Sequence, residues 1–342
     1  MSVIHYDIEY SIVICTYNPD ERLLKRCLEA VNNLDTDGIT SEVILVDNNS
    51  SIPLESLSYV RRYIKKIPSL KTLLVPIQGV NYARMAAISE ARGKYIIYFD
   101  HDNEPQSNYL QELKKLNTTY PQVGALGPGD VTVDFIDGIE KSIESYARIA
   151  FQERHEEAIK FSRVREWQSC YPFGAGLCTY THLVKEYINL AKKGRFPMPG
   201  KGKHLAGVED RQAVLLCISK GYFAGVSPAL QIKQIIPATR ANDKYLQQLT
   251  YGTAICYDTC IVQVFPEQKD KLKDQIIPEL KFFREALKKY LKARWSSDPH
   301  KIFDLLEFIG SRAGVYLALN KPVPAAVKKI VTYLKLNQEK HL

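Results

Sequence analysis

The chain has 342 residues, enough for one large α/β domain and a smaller appendage around a sizeable core. Its 45% hydrophobic and 25% charged residues are ordinary for a globular protein, and no apolar run approaches the roughly 18 residues of a membrane span. The formal charge of +8 is uneven: residues 262–342 carry 16 Lys+Arg against 9 Asp+Glu, a local +7, which marks a separate basic region. Seven cysteines without a CxxC pair predict reduced thiols, and the opening MSVIHYDIEYS lacks the charged-then-apolar layout of a secretory leader. The expected location is cytoplasmic.

In chain order, β-branched runs at Ser11–Thr16, Val43–Asp47, Leu70–Pro76, Tyr95–Phe99 and Val123–Gly127 predict strands. Helical patterns fall between them at Glu21–Asn32, Leu54–Lys66, Val80–Ala91 and Tyr109–Asn117. This alternation predicts an α/β fold with a mostly parallel central sheet and helices on both faces. Ile139–Phe161 has a charged helical pattern. FGAGLCTYTHLVKEY runs into a helix at Thr181–Lys193, and the Gly-, Pro- and Lys-rich stretch 192–207 reads as a lid or as a solvated connector. Residues 242–342 read as helices broken at Pro266, Pro299 and Pro322.

On such a sheet, ligands bind beyond the carboxyl ends of the strands. Those ends carry Thr16, Tyr17 and Asn18, then Asp47, then Asp100, His101 and Asp102. Two carboxylates at i and i+2 share a side of an extended segment, and a hard divalent cation relieves their repulsion. Taken alone they are better described as a strand end followed by a turn. Asp47 alone is better described as an Asx turn, and Glu209 and Asp210 alone as acids placed at a helix N-terminus. There is no GxxxxGK[ST], no GxSxG and no metal-binding histidine spacing, which argues against phosphate loops, serine nucleophiles and zinc.

Taken together, SIVICTYNPDERLLKRCLEAV, SEVILVDNNSS, GVNYARMAAISEARGKYIIYFDHDNEP, FGAGLCTYTHLVKEY and GVEDRQAVLLCISKGY stand in an order that resembles the inverting family 2 glycosyltransferases of the GT-A fold, over roughly residues 10–255. The resemblance implies a catalytic domain over 1–261, with a nucleotide-binding half (1–130) and an acceptor half (131–261), followed by a basic helical region at 262–342. It implies that Thr16, Tyr17, Asn18, Asp47, Arg84, Asp100 and His101 bind a nucleotide-sugar. Asp102, with Asp100, would hold Mn²⁺ or Mg²⁺, Asp210 would be the general base, and Glu209 would orient it or the acceptor. Where members often carry a histidine before I-P, this chain has Gln234 preceded by Lys233; Lys233 would neutralise diphosphate directly. Gly176, in the acceptor-side segment, is a further candidate.

The expected reaction moves a sugar from a nucleotide-sugar to a glycan or lipid-linked acceptor, in bacterial polysaccharide synthesis. The alternatives are a nucleotidyltransferase and a catalytically silent sugar-nucleotide binder. CTYNPDER lacks the glycine-rich phosphate loop of the former. Nucleic acid is not an expected partner. For 262–342 the open readings are an anionic membrane surface, met peripherally at the inner face of the cell membrane, and packing on the catalytic core or in a homodimer. FREALKKYLKARW places Phe283, Leu287, Tyr290 and Leu291 at helical spacing beside Arg284, Lys288, Lys289 and Lys292.

Overall fold

The computed structural model describes residues 6–194, 196, 209–296 and 298–336. They divide into two compact units, one comprising residues up to 134, 153–198 and 213–235, the other 135–152, 199–212 and 236 onward.

The first unit opens with β1 (Ile8–Thr16), α1 (Glu21–Asn32), β2 (Ser41–Asp47), α2 (Ser58–Lys66), β3 (Leu70–Leu74), α3 (Val80–Glu90) and β4 (Gly93–Asp100). A tight turn leads to β5 (Asn103–Pro105), then α4 (Tyr109–Thr119) and β6 (Val123–Phe135). Asp20 caps α1 by accepting from the Arg22 N–H, and Leu24, Cys27, Leu28 and Val31 form its buried face. β1 is central: it pairs in parallel with β2 on one side and β4 on the other, and β3 extends the sheet beyond β2. Isoleucines and valines on both faces of these strands are buried, as parallel strands covered by helices require. This half matches the strand–helix alternation read from the sequence.

Beyond β4 the pairings that set direction are antiparallel. After α5 (Lys141–Ala150), a helix of the second unit, come β7 (Arg154–His155), β8 (Lys160–Ser162) and β9 (Cys178–Tyr180). Next are α6 (Thr181–Lys192), α7 (Glu209–Ser219), whose first turn belongs to the second unit, and β10 (Phe223–Ile236). The sheet order is β3-β2-β1-β4-β9-β6-β10-β5, with β7 on β6 and β8 on β10. The helical pattern at 139–161 is realised only in α5. Gln152 turns to φ +66° just after it, and the chain then gives its hydrogen bonds to sheet edges at β7 and β8.

The second unit is helical after Ile236: α8 (Asp243–Val264), α9 (Lys269–Lys273), α10 (Glu279–Trp295), α11 (His300–Ala318) and α12 (Ala325–Tyr333). α11 lies close on α8 because Gly310 and Gly314 leave room for backbone contact: a Cβ on Gly310 would stand 2.6 Å from the Ala254 Cβ, and one on Gly314 2.8 Å from the Ile255 carbonyl. Its core gathers Tyr251, Ile255, Phe282, Leu305, Ile309 and Val327. A cavity of about 530 Å³ in this unit is lined by Asp258, Lys289, Asp304, Glu307 and Arg312 among others. Burial pushes the Asp258 carboxyl up to about 6 against the opposing pull of Arg312.

Candidate functional site

Parallel pairing aligns the C-terminal ends of β1, β2 and β4 on one rim, with Thr16 opposite Asp47 and Cys15 opposite Asp100. Thr16 is buried, and its Oγ1 has no hydrogen-bond partner among the described residues. Tyr17 is half-buried and Asn18 is exposed. Asn18 adopts φ +42°, accepts from the Ser51 N–H at 2.8 Å and gives its own N–H to Ser50 Oγ at 2.9 Å. The loops after β1 and β2 are thereby tied together.

Asp47 is buried, and both of its oxygens are taken by its own loop. Oδ1 accepts from the Ser50 N–H at 2.8 Å and Oδ2 from the Leu54 N–H at 2.9 Å. A carboxylate held in this way positions the loop at the strand end, the Asx-type role weighed for it from the sequence. Its neighbour Asn48, to which the sequence assigned no individual role, extends the framework. Asn48 Oδ1 accepts from the Gly79 N–H at 2.7 Å, and Nδ2 donates to the Ile77 carbonyl at 2.8 Å. The only signal for it was a second amide beside Asp47 in VDNNS.

The carboxylates of DHD are held by Asn103, likewise assigned no individual role from the sequence and fully buried. Its Oδ1 accepts from the Asp100 N–H at 2.9 Å, and its Nδ2 donates to Asp102 Oδ1 at 3.1 Å. Asp102 is 97% buried, and its carbonyl accepts from the Ile235 N–H at 2.8 Å. Asp100 is more open, and its Oδ1 receives Arg84 Nη2 at 3.1 Å. Arg84 also lies 5.4 Å over the Tyr98 ring, which fixes the guanidinium from behind. His101 is half-buried in the turn. Burial and then the nearby Asp102 and Asp100 push the Cys27 thiol up, so that it stays neutral as its Sγ meets the Asp100 carbonyl at 3.5 Å.

β10 runs antiparallel beside this turn, placing Gln234 opposite Asn103 and Lys233 opposite Glu104. Glu104 is engaged through both oxygens by Arg26, which also reaches Asp134 at 3.3 Å. Gly176 is a packing position. Its φ is +73°, its carbonyl accepts from the Tyr109 hydroxyl at 2.7 Å, and a Cβ there would stand 2.6 Å from that hydroxyl. The structure thus gathers Thr16, Asp47, Arg84, Asp100, Asp102, Lys233 and Gln234 in one unit.

Glu209 and Asp210 belong to the other unit, in the first turn of α7. Glu209 is buried, and Asp210 Oδ1 accepts from the Arg211 N–H at 2.7 Å. Most of the stretch 192–207, read as a lid or a solvated connector, lies outside the described residues, Lys201, Lys203 and His204 among them.

Two hard carboxylates one residue apart suit a hard cation whose remaining ligands come from diphosphate and water. Among the described residues no group of three or more His, Cys, Asp or Glu is placed to hold a metal ion.

The glycosyl transferase family 2 profile matches residues 11–178. The cholesterol galactosyltransferase of Borreliella burgdorferi is 32% identical over 113 residues, covering 33% of this chain and 30% of the relative. The putative glycosyltransferase EpsH of Bacillus subtilis is 27% identical over 103 residues, covering 30% and 28%. The chain thus spans about a third of the length of the curated relatives it matches. Among solved structures, S. aureus TarS 1-349 in complex with UDP is 14% identical at a TM-score of 0.47, covering 96% of this chain and 92% of that one. The mannosyltransferase PcManGT of Pyrobaculum calidifontis, in complex with GDP-Man and Mn²⁺, is 17% identical at a TM-score of 0.47, covering 96% and 79%.

Proposed function

We propose, from the premise that residues 11–178 are a glycosyl transferase family 2 domain, that this chain is an inverting glycosyltransferase. It moves a sugar from a nucleotide-sugar to the hydroxyl of a glycan or lipid-linked acceptor. The observation that carries the reading is the braced turn at the end of β4: Asp100 and Asp102 held by Asn103, with Arg84 on Asp100, on the rim that also carries Thr16 and Asp47. The unpartnered, buried Thr16 hydroxyl supports a polar ligand there, since such a group is otherwise costly to bury.

In this reading Thr16, Tyr17 and Asn18 line the nucleoside, and Asp47 and Asn48 hold the loops that shape the pocket. Arg84 and Lys233 neutralise the diphosphate as it leaves. Asp102 and Asp100 would hold Mn²⁺ or Mg²⁺, which supplies further charge stabilisation to that leaving group when bound. Asp210 takes the proton of the acceptor hydroxyl as its oxygen bonds to the anomeric carbon and the bond to diphosphate breaks on the opposite side. Positioned base catalysis of this kind contributes about 10²–10⁴-fold. Glu209, beside it, orients Asp210 or the acceptor.

The test is a nucleotide-sugar panel scored for transfer and for hydrolysis, with glycan, lipid-linked and sterol acceptors, the last because one relative is a cholesterol galactosyltransferase. Asp102→Asn is expected to abolish most turnover and to weaken donor binding in the presence of Mn²⁺. Asp210→Asn is expected to lower kcat by about 10² or more while leaving donor affinity little changed. Wild-type turnover in both variants, or a nucleotidyl product in place of a glycoside, overturns the assignment.

A further inference from the structure

Among the described residues, the basic helical unit presents a face on α10 that stays exposed. On α10, Phe282 and Ala286 are buried against the unit, while Phe283 and Tyr290 are half-buried, with the Tyr290 ring 6.1 Å from that of Tyr333. The stripe read from the sequence therefore splits: Phe283 and Tyr290 turn inward, whereas Leu287 and Leu291 remain exposed. Leu280 and Trp295 join them, 69% and 79% exposed. At 100° per residue these four side chains fall within an arc of about 80° and run about 22 Å along the helix. Tyr333 of α12, 71% exposed, borders the stripe at Tyr290.

The charges around this arc have one sign. Arg284 lies within it; Lys281, Lys288 and Lys292 follow on one flank and Arg294 on the other, all exposed. Glu279 and Glu285 fall outside that span of the wheel. A second copy of the chain laid on this face would bring like charges together, which disfavours a dimer through it. An apolar stripe ending in tryptophan and bordered by lysines and arginines instead complements a surface that is anionic at its edge and apolar beneath.

We propose that the exposed face of α10, built from Leu280, Leu287, Leu291 and Trp295 with Arg284 and Lys288, docks on an anionic lipid surface. Leucine and tryptophan enter the headgroup boundary while the cations stay at the phosphates. No helix among the described residues is long and apolar enough to cross a membrane, so the contact is peripheral. The proposal is independent of sugar transfer.

The chain has two tryptophans, so Trp167→Phe leaves Trp295 as the single indole reporter. The experiment mixes the full chain with phosphatidylcholine vesicles, with and without phosphatidylglycerol, and follows flotation and Trp295 emission. Binding and a shift to shorter wavelength are expected with the anionic vesicles at low salt. Both should be lost as salt shortens the screening length to about 10 Å at 0.1 M and below that at higher salt. Leu291→Glu should abolish the emission shift. Arg284→Gln with Lys288→Gln should weaken partitioning about 25-fold, about fivefold for each cation at the usual ~1 kcal/mol. Arg61→Gln with Lys65→Gln, a charge-matched pair on α2, should leave it unchanged. Absence of binding at low salt, equal loss in the α2 control, or a dimer in sedimentation that Leu291→Glu dissolves would each overturn the proposal.

Discussion

Asn103 is the residue on which the arrangement of Asp100 and Asp102 depends, so Asn103→Ala is the sharpest perturbation of the rim. The substitution removes a 2.9 Å bond from the Asp100 N–H and a 3.1 Å bond to Asp102 Oδ1. The backbone bond contributes about 1 kcal/mol net, and the bond to the Asp102 carboxylate, like others to charged groups, about 1.5–3 kcal/mol. The first unit should therefore lose roughly 2–4 kcal/mol. If Asp102 serves the proposed reaction, the larger consequence is geometric, because Asp102 loses one of its tethers, and a misplacement of about 1 Å costs about 10²-fold in rate. Asn103→Asp keeps an acceptor for the Asp100 N–H but sets a third, fully buried carboxylate against Asp102, so at neutral pH stability should fall at least as far as in the alanine variant and should recover as the pH drops and a carboxyl takes up a proton, while turnover falls as far. Urea unfolding gives the first quantity and kcat/KM for donor the second. If Asn103→Ala unfolds more easily yet keeps wild-type kcat/KM, Asn103 is a packing residue and the reasoning fails.

Other consequences are as direct. Asp47→Ala should release the Ser50 and Leu54 N–H groups and destabilise the first unit by about 2–4 kcal/mol; a variant of native stability but lost donor affinity would mean that Asp47 binds the ligand itself. Burial raises the folded pKa of Asp258 from 3.8 to about 6, so the folded state holds the extra proton. That contribution is complete below about pH 4 and is lost as pH rises through 6, roughly 3 kcal/mol at 1.36 kcal/mol per unit. Asp258→Asn should therefore flatten the pH dependence of unfolding of the helical unit and stabilise it at pH 8; an unchanged slope would refute this. Gly310→Leu should force α11 off α8 and cost about 1–3 kcal/mol or more, read as a lower melting temperature, and a variant that melts as wild type would show that the helices are not in close contact.

The parallel half of the sheet was legible because its signals are local. β-branched runs fall on β1, β2 and β4, and the helix expected at Glu21–Asn32 is found over those same residues. The family match over 11–178 agrees with the resemblance drawn from TYN, VDNNS and DHD. What escaped depended on partners distant in sequence. The pattern at 139–161 is helical by periodicity, yet Arg154–His155 and Lys160–Ser162 pair with strands more than 20 and 60 residues away. Asn103 and Asn48 look like loop amides until the turn closes around them. On α10, periodicity told which residues share a face, but only packing told that Phe283 and Tyr290 turn inward.

The central position of β1 also constrains the order in which the chain can be completed during synthesis. Thr16 is made early, but its strand finds both neighbours only once residue 100 has emerged. The edge that backs Asp102 comes later still, because β5 pairs through Asn103 with Gln234. At about 5–20 residues per second, roughly 7 to 26 s of translation separate Asp102 from that partner. Through that interval the nascent chain carries an acidic turn with an unpaired strand edge, a state exposed to the wrong neighbours. A ribosome-bound chain stopped before β10 should be open to proteases at residues 100–105, and one extended past Ile236 should resist them.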